Sequence, residues 1–102
     1  MHSSPPPLCY LCVGKDCRRD VGHAELRDAL GSIGKVKRVK CQDLCEGPVA
    51  GVQVGGQVEW FEGVRKARHR EAVVALATGG GTTVPAELRD RWVPKRSGKV
   101  KR

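Results

Sequence analysis

Five cysteines in a chain of 102 residues, at positions 9, 12, 17, 41 and 45, constrain it more than any other feature. Four of them form two close pairs, Cys12-x4-Cys17 and Cys41-x3-Cys45, set apart by a long interval. Met1–Pro7 holds no Lys or Arg, and the apolar stretch Leu8–Val13 is short and contains two cysteines and a tyrosine. This is not a secretory signal, so the expected compartment is the cytoplasm, where thiols stay reduced. There, an odd number of cysteines is not a disulfide framework. What remains is a metal ion or an iron–sulfur cluster.

The chain between the pairs alternates strand and helix. Leu8–Val13 reads as a buried strand. Leu26, Ala29, Leu30 and Ile33 recur at i, i+3, i+4 and i+7, one face of an amphipathic helix, and Gly34 follows as a stop. Lys35–Cys41 reads as an edge strand, with Val36 and Val39 among basic residues. Val49–Val54 and Gln57–Phe61 flank Gly55-Gly56, a strong hairpin signal because both turn positions need φ > 0. Arg65–Thr78 reads as a second helix, with Val73, Leu76 and Ala77 inward, ended by Gly79-Gly80-Gly81. The order β-α-β-β-β-α predicts an α/β fold with a mixed four-stranded sheet and two helices. The domain is expected over 8–81, after a disordered lead-in over 1–7.

Cysteine placement then carries the chemistry. Cys12 and Cys17 bracket the loop after the first strand, and Cys41 and Cys45 the loop after the second. A βαβ crossover makes those strands parallel, so both loops emerge at one end of the sheet. Four thiolates there suit a [2Fe–2S] cluster, a [4Fe–4S] cluster or Zn²⁺. The spacing is loose for a zinc knuckle and suits a two-iron centre with one loop per iron. Gly14 and Gly47 leave room for backbone amides to turn toward cluster sulfurs. Cys9-x2-Cys12 has knuckle spacing, but Cys9 falls inside the first strand and reads as a buried thiol. The same position counts against a thiol oxidoreductase, whose Cys-x2-Cys opens a helix.

The stretches Leu11-Cys12-Val13-Gly14-Lys15-Asp16-Cys17-Arg18 and Val39-Lys40-Cys41-Gln42-Asp43-Leu44-Cys45-Glu46-Gly47-Pro48-Val49, with the Gly-Gly hairpin and closing helix, resemble the thioredoxin-like [2Fe–2S] ferredoxins. That family is related to the small iron–sulfur subunit of NADH dehydrogenases and hydrogenases. The resemblance covers about residues 8–79. It implies a thioredoxin-like sheet, a [2Fe–2S] cluster on Cys12, Cys17, Cys41 and Cys45, and one-electron transfer between redox protein partners, often by a homodimer. It makes the chain an electron carrier rather than an enzyme. The alternative function is a four-cysteine zinc module that binds a partner or nucleic acid through its basic end.

Charge is concentrated at that end. Lys and Arg total 19 against 11 Asp and Glu, and Arg89–Arg102 alone holds seven basic residues and one acid. Residues 82–102 are expected to be a flexible basic tail outside the family core. Steering toward an acidic partner is its second reading. Nucleic acid ranks third, because no aromatic residues are interleaved with the basic ones. Trp92 has no core position assignable from sequence, and His2, His23 and His69 read as solvated. No apolar run approaches the roughly 20 residues a bilayer needs, so no membrane insertion is expected. No catalytic triad, paired-carboxylate or phosphate-loop pattern appears.

Overall fold

The computed structural model describes residues 8–13, 22–40, 47–54, 56–79 and 84–100. Its elements are β1 (Leu8–Cys12), α1 (His23–Gly31), β2 (Lys35–Val39), β3 (Ala50–Val54), β4 (Gln57–Phe61) and α2 (Ala67–Gly79). Two short 3₁₀ turns follow, Ala86–Leu88 and Pro94–Arg96. The strands form one mixed sheet in the order β2-β1-β3-β4, with β1 parallel to β2 and antiparallel to β3. The α/β architecture with a four-stranded mixed sheet and two helices is therefore as the sequence predicts.

Each strand's pattern follows from its place in that order. β1 is central, and Cys9 to Cys12 are all buried, as a run apolar on both faces requires. β2 is an edge and carries exposed Lys35, Lys37 and Arg38, charges that discourage further strand pairing. In the hairpin, Val54 pairs with Gln57 across a two-residue link. Gly56 in that link has φ 92°, a left-handed conformation that glycine adopts without strain, while Gly55 lies outside the described residues.

The two sheet faces differ. Cys9 and Leu11 of β1, Ala50, Val52 and Val54 of β3, and Phe61 of β4 pack against Leu26 and Leu30 of α1 and Val73 and Leu76 of α2. An ion pair between Arg70 and Glu25, at 3.0 Å, links the two helices at the surface. The opposite face gathers Tyr10, Cys12, Val39, Val49, Val58, Trp60 and Val93, and no residue of α1 or α2 belongs to it.

The free edge of β4 is finished by the segment expected to be a flexible tail, which adds Val84, Leu88 and Trp92 to the helical-face core and Val93 to the other face. Residues 84–100 are docked instead. Phe61 and Trp92 form an antiparallel bridge along the free edge of β4. The Glu62 N–H donates to the Arg91 carbonyl at 2.8 Å, Val93 N–H to Trp60 at 2.9 Å, and Gly98 N–H to Val58 at 2.8 Å. Trp60 Nε1–H donates to the Lys99 carbonyl at 2.6 Å. Glu59, buried on the helical side, accepts from Trp92 Nε1–H and Gln57 Nε2–H, each at 2.9 Å, and from the Ser97 hydroxyl. Leu88 is fully buried and Val84 and Val93 nearly so. The domain boundary drawn at residue 81 thus falls inside the folded unit. β4 would otherwise leave unpaired backbone groups and a bare indole, and this segment satisfies both.

Candidate metal centre

The carboxyl end of β1 is where the described ends of the chain's two cysteine loops meet. Cys12 lies opposite Val39 in the parallel register. The Val13 N–H donates to the Val39 carbonyl at 2.8 Å, and the Cys12 N–H to the Val49 carbonyl at 3.1 Å. The first loop departs after Val13 and returns at the start of α1, where His23 Nε2–H donates to the Cys12 carbonyl at 3.2 Å. The second departs after Val39 and returns through Gly47, Pro48 and Val49. All four loop ends therefore converge on the two residues Cys12 and Val13.

Cys12 is fully buried, on the face that holds Tyr10, Val39 and Trp60. Cys17, Cys41 and Cys45, with Gly14 and the charged residues Lys15, Asp16, Arg18, Arg19, Asp43 and Glu46, lie outside the described residues. Among the described residues no group of three or more His, Cys, Asp or Glu side chains gathers to hold a metal. What the structure does settle is the status of the remaining cysteine. Cys9 belongs to the helical-face core and Cys12 to the opposite face, because residues three apart on a strand point to opposite sides. Burial pushes the Cys9 thiol up to about 11, which keeps it neutral. The Cys9–Cys12 pair cannot grip one ion, and this removes the best sequence argument for a zinc knuckle.

Two histidines expected to be solvated are buried. His23 is 7% exposed and joins the return of the first loop to Cys12. His69 is 3% exposed, with Nε2 3.5 Å from Asp90 Oδ2. Sequence reasoning missed His23 because nothing in its spacing links it to the cysteines. Its position at the head of the crossover helix does, once β1 and β2 are known to be parallel. Beside it, Leu11, Val13, His23, Arg27 and Arg38 line a small cavity at the strand ends. Two guanidinium groups thus border this cavity, on the helical side of the sheet, whereas Cys12 belongs to the opposite face. Comparison with protein-family models, with curated proteins and with solved structures finds no match to the chain.

Proposed function

We propose that the chain is a thioredoxin-like [2Fe–2S] ferredoxin, a one-electron carrier between redox proteins, with Cys12, Cys17, Cys41 and Cys45 as its ligands. The observation that carries this reading is the convergence of both loops on Cys12 and Val13. Each loop holds two cysteines in sequence, so four thiols start from anchors within hydrogen-bond distance of one another. The described part of the donor set fits the group. Cys12 is shielded from water, and the β2-β1-β3-β4 order agrees with the proposed fold family. A bound [2Fe–2S] cluster supplies reversible one-electron exchange. The protein's own part is to hold thiolates, exclude water and fix the loop ends, which Val39, Val49 and His23 do through hydrogen bonds at Cys12 and Val13. Nothing in this role requires a catalytic side chain. No described helix is long and apolar enough to cross a membrane, and a cytoplasmic location accords with reduced thiols.

The test is composition. Protein purified without oxygen should be reddish-brown, bleach with dithionite, and contain about two iron and two acid-labile sulfide per chain. Cys12→Ala, Cys17→Ala, Cys41→Ala and Cys45→Ala should each lose the cluster, and Cys9→Ala should keep it. Colourless protein with stoichiometric zinc would replace this reading with the four-cysteine zinc module.

A further inference from the structure

We infer that the sheet face opposite the helices is the docking surface for an acidic face of a redox protein, gripped by Lys35 and Lys37 on one side and Lys99 with Lys95 on the other. The inference rests on the electron-carrier reading for the identity of the partner, but its geometry is independent of the cluster. Lys35 and Lys37 alternate with Val36 and Arg38 on β2, so their side chains share the face of their register partners Leu8 and Tyr10. That face carries no helix. On its far side the docked C-terminal segment brings Lys99 over Trp60, and Lys95 along the β4 edge. All four lysines are exposed. Three strand spacings separate β2 from β4, about 14 Å, so one partner surface spans both groups.

Among the described residues, acids are scarce on this face. Of the described acids, Glu25, Asp28, Glu71, Glu87 and Asp90 belong to the helices and turns covering the other face, and Glu59 is buried toward it. There Arg70 pairs with Glu25 at 3.0 Å and Arg91 with Asp90 at 3.5 Å. On the lysine face only Glu62, just past the end of β4, opposes four cations. Between the lysines the apolar sheet residues are buried, Val93 and Val100 of the C-terminal segment among them or packed on them, so the exposed groups of this side are the lysines. Trp60 is fully buried and Tyr10 is 9% exposed, so no aromatic ring is offered for base stacking, and no helix projects toward a groove. An acidic protein surface is the complement this face fits, because charge there raises the encounter rate and fixes orientation. Lys35 and Lys37 lie on β2, the strand that leads toward Cys41, which brings such a partner alongside the proposed centre.

The experiment titrates full-length ¹⁵N-labelled protein, its iron and sulfide first measured, with a ten-residue oligoglutamate, a duplex DNA of about 20 base pairs and phosphatidylserine-containing vesicles. Oligoglutamate should shift the amides of Lys35, Lys37, Lys95 and Lys99. The variant K35Q/K37Q/K99Q should bind it about tenfold more weakly, with the loss shrinking at high salt, while R65Q/R68Q on α2 should bind as the parent does. Lys→Gln changes at exposed positions leave the core intact, so an unchanged unfolding midpoint controls for misfolding. Shifts centred on Arg65 and Arg68, or tighter binding to duplex or vesicles than to oligoglutamate, would overturn the inference. Iron-free protein giving the expected map would sink the cluster reading and leave the docking face standing.

Discussion

The two faces of the sheet are completed by different means. One is covered by α1 and α2, whose apolar residues recur at helical spacing and pack on the sheet, with Val36 of the edge strand β2 packed against the same core. The other carries no helix and receives Val93 from an irregular segment that runs along the β4 edge and is held at a few points: the Trp92 bridge, the Glu59 carboxylate and the Trp60 indole. The first arrangement spreads its energy over many apolar contacts. The second concentrates it in hydrogen bonds to buried groups, which are cheap while satisfied and costly once broken. Loss of one anchor should therefore be felt more widely on the second face.

Deleting Arg89–Arg102 breaks that comparison most severely. It removes Trp92 and Ser97 from the buried Glu59 carboxylate and exposes Trp60 and Val58. The expected loss is about 4–6 kcal/mol, from a buried charge left underpaired and from lost apolar burial. Urea unfolding at neutral pH measures it, and unchanged stability would mean the segment is a passive tail. Trp60→Ala comes next. The indole is fully buried, so about 3–5 kcal/mol should be lost. Because Lys99 loses its donor, trypsin should also cut at Lys95 and Lys99 sooner than in the parent. A helix-face truncation such as Leu30→Ala should match the energy without speeding that cleavage.

The same contrast explains what could be read from the sequence. α1 and α2 announce themselves through Leu26, Leu30, Val73 and Leu76, and the hairpin through Gly55-Gly56. Those signals are local, and they were enough for the mixed four-stranded sheet with two helices and for bringing the described ends of both cysteine loops to one end of it. The docking of 84–100 was not legible. Its anchors join residues more than thirty positions apart, Trp60 with Lys99 and Glu59 with Trp92, and its dense charge imitates a solvated tail. Periodicity has nothing to register when a segment is fixed by scattered hydrogen bonds. His23 was missed likewise, since its partner is a backbone carbonyl.

Gly51 sharpens the comparison at smaller scale. It lies between Tyr10 and Trp60 on the second face, whose rings are 6.0 Å apart. A Cβ there would meet Trp60 Cζ3 and Val58 Cγ2 at 3.0 Å. Gly51→Ala should therefore displace the indole and cost about 1–3 kcal/mol, though alanine suits a strand better than glycine. Near-ultraviolet dichroism should lose part of its tryptophan signal. Equal or higher stability with an unchanged spectrum would show that the ring yields freely and that the face is loosely packed.

The smallest effects are in the pH dependence, where the anchor of the C-terminal segment and the histidine of α2 separate by window. Burial pushes the Glu59 carboxyl up, but the donors Ser97, Trp92 and Gln57 outweigh it and hold it below its ordinary 4.5. His69 is also held below its ordinary 6.5, first by burial and then by Arg68, Arg91 and Lys66, against the opposing pull of Asp90. In both cases the unfolded chain binds the proton more readily, so stability is present above the ordinary value and declines as pH falls through the lowered one. The His69 loss begins below about 6.5 and the Glu59 loss only below about 4.5. His69→Phe should flatten the upper part of the acid limb and leave the lower part, while Glu59→Gln should do the reverse. Thermal unfolding from pH 7 downward reads both. If stability of the parent rises between neutral pH and about 5.5 and His69→Phe abolishes the rise, then the Asp90 carboxylate dominates the imidazole. The turn after Leu88 would then be held to α2 by an ion pair, and the helical face would depend on a point anchor as the other face does.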